Sequence, residues 1–375
     1  MQNTLSAAQQ RLVARSLEVI IDGQTPEGAY LAAPTFPTYR YSWFRDGSFI
    51  ADAMDLHAQH ASSAAFHAWV VSTLTLRLDD AGEVVGGDVL HTRYLPDGST
   101  GEEDWPNFQL DGFGTWLWAF RRHLQAVGRK PSEHELKVVR RLALHLTKRW
   151  AMPNFDCWEE HQDRVHPSTL GALFAGLGAA GELLADAYFV GVADTVRAYV
   201  LVHGVVAGQF VKHVGEKSAV DANLLWLAVP YGVVPADSEL ALRTVRAVES
   251  TIQDHSGGVH RYARDTYYGG GSWLLLTADL AQVYLAQGRR RDAERLLHWI
   301  EDRATPAGDM PEQVAEHAND PEYIRQWEEL WGSSACPLLW SHAAYLRLVY
   351  ALNGSNVGAS IGHGGFRKPG EESGA

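Results

Sequence analysis

Apolar residues recur at three- and four-residue spacing through most long segments of this 375-residue chain, and the alternating pattern of a strand is almost absent. This periodicity predicts an all-α fold of about twelve helices. The predicted helices cover residues 5–22, 47–59, 62–79, 112–126, 132–150, 168–182, 187–206, 220–229, 236–253, 272–286, 289–303 and 339–352.

Residues typical of helix ends support several of these helices. Side chains that can cap a first turn lie at predicted starts: Ser62, Ser132 and Asp237. Pro167 occupies a first-turn position, where a missing amide hydrogen costs nothing. Gly128 and Gly288 follow predicted ends, where glycine is the preferred residue.

The connections between the predicted helices alternate in length. Those after even-numbered helices are short: residues 60–61, 127–131, 230–235 and 287–288. Those after odd-numbered helices are long: residues 23–46, 80–111, 151–167, 207–219, 254–271 and 304–338. If successive helices are antiparallel, all the long loops emerge at one end of a double-ring (α/α) barrel. Because long ordered loops are usually functional, we expect a site at this mouth.

No Pro/Gly/Ser-rich linker interrupts the helices before Gly354. We therefore expect one barrel domain over residues 1–353. Residues 354–375 are rich in Gly, Ser and charged residues, a composition that predicts a disordered tail.

The charge and composition narrow the kind of ligand. The net charge is -13, from 32 Lys and Arg against 45 Asp and Glu, and no basic stripe offsets it. We therefore expect no nucleic-acid partner and no anionic membrane surface. The 13 Trp, 14 Tyr and 12 Phe exceed what a core requires, and aromatic faces suit a neutral sugar.

The start of the chain, residues 1–21, is amphipathic and differs from a secretory signal. No later stretch is long and apolar enough to cross a bilayer, so the sequence predicts a cytoplasmic protein. Cys157 and Cys336 are the only cysteines, which excludes a disulfide scaffold and favours two free thiols over one bridge.

Carboxyl groups on separate loops offer the pair that cleavage of a glycosidic bond needs, one to protonate the leaving oxygen and one to activate water or attack the sugar. Glu159 and Glu160 follow Trp158, whose indole can supply the apolar contact that raises a carboxyl pKa. Glu312 follows Pro311 in a long acidic loop. Taken singly, each carboxyl is equally typical of a solvated loop.

Two arginine–aspartate pairs lie beside aromatic residues. Arg45 and Asp46 follow Trp43, while Arg261 and Asp265 lie among several aromatics. Buried ion pairs that close helix ends are the structural alternative. Charged groups that hydrogen-bond vicinal hydroxyls beside stacking rings are also what a sugar pocket needs.

Other chemistry has little support. His57 and His60 lie three residues apart, but no carboxylate or cysteine completes a metal set in the sequence, and we predict no metal and no cofactor. No Gly-X-Ser-X-Gly elbow, cysteine nucleophile motif or phosphate loop occurs. Trp105 is equally consistent with a core anchor and a sugar platform.

In their order, these motifs resemble those of glycoside hydrolase family 15, the glucoamylase-like inverting enzymes. The resemblance spans about residues 20–350. It rests on five separated motifs: residues 39–46, 105–111, 156–160, 261–273, and 311–313 with 337–343.

The resemblance implies a six-fold (α/α) barrel as catalytic domain and release of β-D-glucose from the nonreducing end of an α-glucoside. It implies that Glu159 is the general acid and Glu312 the general base. It also implies sugar contacts: Tyr39 at the attacking water, Arg45, Asp46 and Arg261 at the nonreducing-end glucose, Trp105 over the cleavage point, Glu160 at the leaving sugar, and Trp43, Trp158 and Trp273 in the pocket.

The departures from the family concern the substrate. Arg264 stands where some starch-degrading members have an acidic residue, and the chain has no room for an N-terminal β-sandwich or a starch-binding module. We therefore expect a short α-glucoside, isomaltose first, with α-1,4 maltooligosaccharides and trehalose as alternatives.

A phosphorylase and an inactive sugar-binding protein are the rivals from other classes. Glu312 with Tyr39 favours hydrolysis over phosphorolysis, and the presence of both carboxyls argues against lost activity. The sequence leaves the oligomeric state open.

Overall fold

The computed structural model describes residues 5–87 and 89–353, and this part of the chain is mostly helical. Its α-helices are α1 Ala7–Asp22, α2 Phe44–Leu56, α3 His60–Thr75, α4 Asp111–Ala126, α5 Glu133–Arg149, α6 Pro167–Leu184, α7 Ala187–His203, α8 Glu239–Thr251, α9 Leu274–Ala286, α10 Arg290–Glu301, α11 Glu322–Trp331 and α12 Leu339–Asn353. The strands are β1 Ser42–Trp43, β2 Arg93–Tyr94, β3 Val205–Val206, β4 Gln209–Phe210, β5 Ser272–Trp273 and β6 Gln313–Val314. Short 3₁₀ helices cover Pro37–Tyr39, Ala222–Leu227 and Tyr267–Gly269.

Six elements form a closed inner ring. In order they are α2, α4, α6, the 3₁₀ helix Ala222–Leu227, α9 and α12; each contacts the next, and α12 returns to α2. The outer elements pack on this ring, with α1 on α12, α3 on α2, α7 and α5 on α6, α8 on the 3₁₀ helix and α10 on α9. This arrangement confirms the predicted six-fold (α/α) barrel.

The inner and outer helices differ in their apolar patterns. In α9 all residues from Leu274 to Tyr284 are buried, as expected of a helix surrounded by others. In α10 the stripe Ala293, Leu296, Leu297 and Ile300 is buried, at the i, i+3, i+4, i+7 spacing of a helix with one covered face. The sequence periodicity therefore distinguishes the two rings.

Close packing of α4 on α6 depends on glycine. A Cβ atom added to Gly114 would lie 2.6 Å from the carbonyl oxygen of Ala172. A Cβ at Gly176 would meet the backbone of Gly114 in return. Only residues without side chains allow the two backbones to approach this closely.

Most of the predicted helix ends are confirmed. Ser132 forms a capping box with Glu135 at the start of α5, and Pro167 is the first residue of α6. Gly128 and Gly288 follow α4 and α9 with φ of 65° and 74°. Two caps were wrong, in each case because the helix begins two or three residues away from the predicted start: α3 begins at His60, before Ser62, and α8 begins at Glu239, so that Ser238 rather than Asp237 caps it.

Two predicted segments also need correction. The eighth helix, residues 220–229, is the 3₁₀ helix Ala222–Leu227, capped by the Asp221 side chain and followed by Pro230, which cannot continue a helix. The predicted loop 304–338 contains α11, whose Tyr323, Ile324 and Trp327 form a short apolar stripe among charged residues. The predicted tail, residues 354–375, lies outside the described residues.

Two strand pairs tie distant loops together. β1 pairs with β2, with Trp43 opposite Arg93, and β5 pairs with β6, with Trp273 opposite Gln313. The first strand of each pair, β1 or β5, lies directly before an inner helix, α2 or α9. The second and tenth predicted helices therefore begin at Phe44 and Leu274 rather than at the predicted residues 47 and 272.

The described residues also bear on two expectations from composition. Within residues 5–87 and 89–353, no helix combines the length and apolarity needed to span a membrane. Cys157 is buried and Cys336 is partly exposed, and both are free thiols, as predicted.

Candidate active site

A cavity of about 470 Å³ opens at the mouth of the barrel. Every residue predicted for the site lines it: Tyr39, Trp43, Arg45, Asp46, Trp105, Trp158, Glu159, Glu160, Arg261, Trp273 and Glu312. Further lining residues are Ala32, Phe36, Thr38, Asp104, Pro106, Cys157, Thr266, Tyr267, Trp327, Trp331, Leu338 and Trp340. The lining comes from five of the six long loops and from the first turns of α2 and α12. The loops predicted to meet at the barrel mouth therefore do line one cavity.

Glu159 is held in an uncommon backbone conformation by a tight turn. Its φ is 67°, in the left-handed region that non-glycine residues rarely occupy. Oδ1 of Asp156 accepts hydrogen bonds from the amides of Trp158, at 3.0 Å, and Glu160, at 2.9 Å. The Glu159 amide donates to the carbonyl of Asp156 at 2.9 Å. Asp156 thus fixes the direction in which the Glu159 side chain points.

The Glu159 carboxyl lies between an indole and a cation. The Nε1 of Trp43 donates to its Oε1 at 2.7 Å. Burial raises the pKa of Glu159, while Arg45 and the Trp43 hydrogen bond act in the opposite direction. The sequence predicted that Trp158 raises the pKa of Glu159 through an apolar contact. The indole of Trp158 instead donates to Asp221 at 3.0 Å, and burial is the largest cause of the raised pKa.

Glu312 is more deeply buried, with 3% of its surface exposed. It precedes β6, and its amide donates to the carbonyl of Ala335 at 2.9 Å. The hydroxyls of Tyr39, at 3.1 Å, and Ser334, at 3.4 Å, donate to its two carboxyl oxygens. Burial raises the pKa of Glu312 to about 8, although Tyr39, Arg261 and Ser334 each lower it.

Tyr39 shares its hydroxyl with a second tyrosine. The hydroxyls of Tyr39 and Tyr267 lie 2.7 Å apart, although the residues are 228 positions apart in sequence. Burial, followed by the charge of Glu312, raises the pKa of both phenols well above the usual range. Tyr39 was predicted from its motif, but this role of Tyr267 was missed, because no local pattern marks which of several tyrosines reaches across the mouth.

Arg45 is anchored at the first turn of α2. Its Nη1 donates to Oε1 of Gln109 at 2.5 Å and to Asp111 at 3.2 Å, and its Nε lies 3.3 Å from Asp46. Burial raises the pKa of Asp46 to about 6, with Arg45 opposing it. Gln109 and Asp111 belong to a recognised motif, residues 105–111, but were not assigned a function.

Arg261 forms a bidentate pair with Asp265, at 2.7 and 2.5 Å, and its Nη2 lies 3.5 Å from Glu160. Its guanidinium carbon is 5.2 Å from the ring centres of both Trp158 and Tyr267. The structural alternative and the predicted sugar pocket are therefore compatible. Arg45 and Arg261 each form a buried ion pair, and each also lines the cavity.

The Tyr262 hydroxyl donates to the Glu160 carboxyl and lies 2.7 and 2.9 Å from its two oxygens. The ammonium of Lys212 lies 3.2 Å from the Tyr262 ring centre and 3.1 Å from Asp221. Lys212 comes from the fourth long loop, residues 207–219, none of whose residues lines the cavity. Lys212 and Asp221 were missed because neither lies in a recognised motif.

Trp105 also lines the cavity. The guanidinium of Arg93, which is 4% exposed, lies 3.4 Å from the Trp105 ring centre and 3.9 Å from that of Tyr41. Such stacking fixes the plane of the indole. Arg93 was also missed, since its role depends on the pairing of β2 with β1.

The histidines considered as metal ligands lie at the other end of the barrel. His57 contacts the carbonyl of Leu346, whereas His60 contacts Asp55 at 2.8 Å, so a carboxylate does accompany it, contrary to the sequence reading. Asp55 also contacts His123 at 2.9 Å, and His67 lies beside them. Ring nitrogens and a carboxylate of this kind are ligands that zinc accepts. Hydrogen bonds from Asp55 to His60 and His123 already satisfy most of these polar atoms.

Comparison with known proteins identifies the family. The model of Glycosyl hydrolases family 15 matches residues 7–350. The chain is 41% identical over 361 residues to the isomaltose glucohydrolase of Kribbella flavida, covering 90% of this chain and 91% of that protein.

Solved structures agree with this assignment. A wild-type glycosidase is 39% identical with a TM-score of 0.88, covering 93% of this chain and 99% of that one, and a variant solved in complex with glucose is equally similar in fold. A bacterial glucoamylase complexed with acarbose, at 21% identity and a TM-score of 0.74 over 96% of this chain and 59% of that one, shares the fold. The chain therefore belongs to glycosyl hydrolase family 15 and is a glycoside hydrolase of the glucoamylase type.

Proposed function

We propose that this enzyme hydrolyses isomaltose and other short α-1,6 glucosides from the nonreducing end, with inversion at the anomeric carbon. The observation that carries the proposal is the convergence of Glu159 and Glu312, from loops more than 150 residues apart, on one cavity. Glycoside hydrolysis requires two carboxyl groups of this kind on opposite sides of the scissile bond.

In this proposal Glu159 is the general acid. Burial favours its protonated form, so the proton is available for the leaving oxygen. As the proton departs, a carboxylate forms next to Trp43 and Arg45, and both stabilise that charge. The transition state therefore gains an interaction that the ground state has only in weaker form.

Glu312 is the proposed general base. The base must be ionised, and Tyr39, Ser334 and Arg261 all favour its ionised form against burial. A carboxylate with a pKa of about 8 is a stronger base than one in water, and the fraction of enzyme in which Glu312 is ionised rises as the pH increases toward 8. The paired hydroxyls of Tyr39 and Tyr267 supply a polar edge where an attacking water can be held.

The end of the cavity suits a single terminal sugar. Arg45, Asp46 and Trp340 are 5% to 7% exposed and line a nearly buried part of the cavity. Arg45 and Asp46 offer donors and acceptors for sugar hydroxyls, and Trp340 offers an apolar face. A closed end of this kind supports exo action, with one glucose released at a time.

The substrate choice rests on the relative from Kribbella flavida, whose name gives isomaltose as its substrate. We extend that substrate to this chain as part of the proposal. A single catalytic domain over residues 1–353, a cytoplasmic location and the absence of nucleic-acid and membrane partners remain predictions from the sequence. The assigned roles of the site residues likewise stay proposals.

The proposal is tested by incubating the purified enzyme with equal concentrations of isomaltose, maltose, trehalose and dextran and measuring the initial rate of glucose release. Isomaltose should have the highest kcat/KM. A higher kcat/KM for maltose or trehalose would overturn the substrate choice but leave the inverting mechanism in place. Addition of phosphate should not change the rate or yield glucose 1-phosphate, which a phosphorylase would produce.

A further inference from the structure

Helix α11 places two tryptophans at the mouth of the cavity. Trp327 and Trp331 are four residues apart, a spacing that puts both indoles on one face of the helix. Both line the cavity. The helix contains no buried residue, and of its two tryptophans only Trp327 packs against the core, so core packing does not explain Trp331.

Trp327 anchors the helix. Its Nε1 donates to the carbonyl of Thr266 at 3.1 Å, and its ring lies 4.9 Å from Tyr267 and 6.0 Å from Tyr268, measured between centroids. Ile324 packs over Gly269 on the same 3₁₀ turn. One indole of the pair therefore has a structural role and holds α11 beside the tyrosine that contacts Tyr39.

Trp331 has no comparable role. It is 45% exposed, and within residues 5–87 and 89–353 its indole has neither a hydrogen-bond partner nor a stacked ring. An exposed aromatic face that borders a deep pocket is typical of a binding surface rather than of a core residue. Leu330, its neighbour, is 67% exposed but does not line the cavity.

The exposure of the lining residues distinguishes the floor from the mouth. Arg45 and Trp340 are nearly buried, whereas Asp104 and Trp331 are exposed. The scissile bond must lie beside Glu312, which is nearly buried like the floor, and Glu159, which is partly exposed and which protonates the leaving oxygen in the proposed mechanism. A sugar on the leaving side therefore extends toward the mouth, where Glu160 offers a polar group and Trp331 an apolar face.

We propose that Trp331 is the aromatic platform for the leaving sugar, and that α11 thereby contributes to the choice of disaccharide. This inference rests on the proposed function. It assigns Trp331 to the leaving sugar alone, because the terminal glucose is enclosed at the floor by other residues. Loss of the indole should weaken binding of a disaccharide and leave binding of glucose unchanged.

Calorimetric titration tests this difference directly. Isomaltose and glucose are titrated into Glu159→Gln protein, which cannot turn the disaccharide over, with and without Trp331→Ala. An aromatic contact contributes about 0.5 to 1.5 kcal/mol beyond its buried area, so isomaltose affinity should fall about two- to twelvefold. Glucose affinity should change less than about twofold. Trp331→Phe should retain most of the isomaltose affinity, and Leu330→Ala, next to it on the exposed side of α11, should retain all of it.

The outcomes separate this inference from the proposed function. Unchanged isomaltose affinity in Trp331→Ala, or an equal loss for glucose, would overturn the platform even if the wild-type enzyme hydrolyses isomaltose rapidly. Absence of glucose release from every α-glucoside would overturn the proposed function, while the difference between isomaltose and glucose affinities would still decide the platform. Failure of isomaltose to bind at all would overturn both.

Discussion

The indole of Trp43 donates a 2.7 Å hydrogen bond to the carboxyl of Glu159, across 116 residues of sequence. Trp43 is fixed by its pairing with Arg93 in the β1–β2 ladder, and Glu159 by the turn that Asp156 caps. Two independently constrained segments thus meet at one carboxyl oxygen. This contact connects the architecture of the barrel mouth to the proposed acid.

Trp43→Phe should lower kcat/KM for isomaltose about tenfold. The substitution keeps an aromatic surface but removes the donor, and this hydrogen bond strengthens by about 1 kcal/mol or more when Glu159 gives up its proton. Steady-state kinetics measure the loss. Trp299→Phe is the matched control, because its indole donates to Ser256 at 2.8 Å outside the cavity. Equal kcat/KM in Trp43→Phe and wild type would contradict a role for this contact.

The two mouth tyrosines should differ in importance. Tyr39→Phe removes a hydrogen bond to the proposed base, which for a charged partner contributes about 1.5 to 3 kcal/mol, so kcat should fall about 10- to 100-fold. Tyr267→Phe leaves Tyr39 in place and removes one neutral hydrogen bond, so we expect a loss of about fivefold.

The matched control for both tyrosines is Tyr284→Phe. Its hydroxyl donates to Glu249 at 2.7 Å away from the cavity, and its removal should leave kcat unchanged. A larger loss in Tyr267→Phe than in Tyr39→Phe would reverse the proposed order of the two hydroxyls.

Glu312 should make stability depend on pH. Its pKa is about 8 in the folded protein, above the 4.5 of a free carboxyl, so folding favours the protonated form. The stability that this group contributes is fully present below about pH 4.5 and is lost as pH rises through 8. Glu312→Gln cannot ionise, so its Tm relative to wild type should increase from pH 4 to pH 9. The upper limit of this change is roughly 5 kcal/mol.

Thermal unfolding of both proteins across this pH range measures the effect. Glu102→Gln, at an exposed loop position, should give a difference in Tm that is nearly independent of pH. A pH-independent difference for Glu312→Gln as well would show that burial does not hold this carboxyl in its protonated form.

The close contact of α4 with α6 should tolerate no side chain. Gly114→Ala should destabilise the protein by about 1 to 3 kcal/mol, because the new methyl group meets the backbone of α6. Gly191→Ala, in α7 with open space around the added Cβ, should stabilise it by about 0.5 to 1 kcal/mol. Denaturant unfolding compares the two variants, and a stable Gly114→Ala protein would refute the described helix spacing.

Much of the architecture follows from the sequence because helical periodicity and loop length are local properties. The stripe at Ala293, Leu296, Leu297 and Ile300 predicts an outer helix without reference to any other segment. The eighth helix was mistaken because its apolar residues are buried all round, and periodicity alone does not distinguish a 3₁₀ from an α-helix over six residues.

The site was predicted less completely for a related reason. Residues in motifs, such as Glu159 and Arg45, were found because chemistry and neighbours coincide in sequence. Tyr267, Arg93 and Lys212 were missed because each acts through a partner from another loop. Such contacts depend on the strand pairs and turns of the folded mouth, which leave no periodic signal in the chain.

The two carboxyl groups should be indispensable for hydrolysis. Glu159→Gln and Glu312→Gln should each lower kcat by about 10²- to 10⁴-fold, the usual contribution of general acid or base catalysis. Both variants should keep the helical circular dichroism of the wild type. Glu160→Gln, one residue from the acid, should act mainly on KM, because Glu160 is proposed to contact the leaving sugar. Near-normal kcat in either of the first two variants would remove that residue from the mechanism.

The most direct test of the inverting mechanism is proton NMR during the first minutes of isomaltose hydrolysis by the wild-type enzyme. A single displacement by water activated at Glu312 must convert the α-glucoside into β-glucose. The glucose from the reducing end keeps the anomeric mixture that isomaltose already has, so the β signal of the total glucose should at first exceed its equilibrium share and then decline as mutarotation proceeds. An initial excess of α-glucose over its equilibrium share would show retention and would contradict the assignment of Glu159 and Glu312 as an inverting pair.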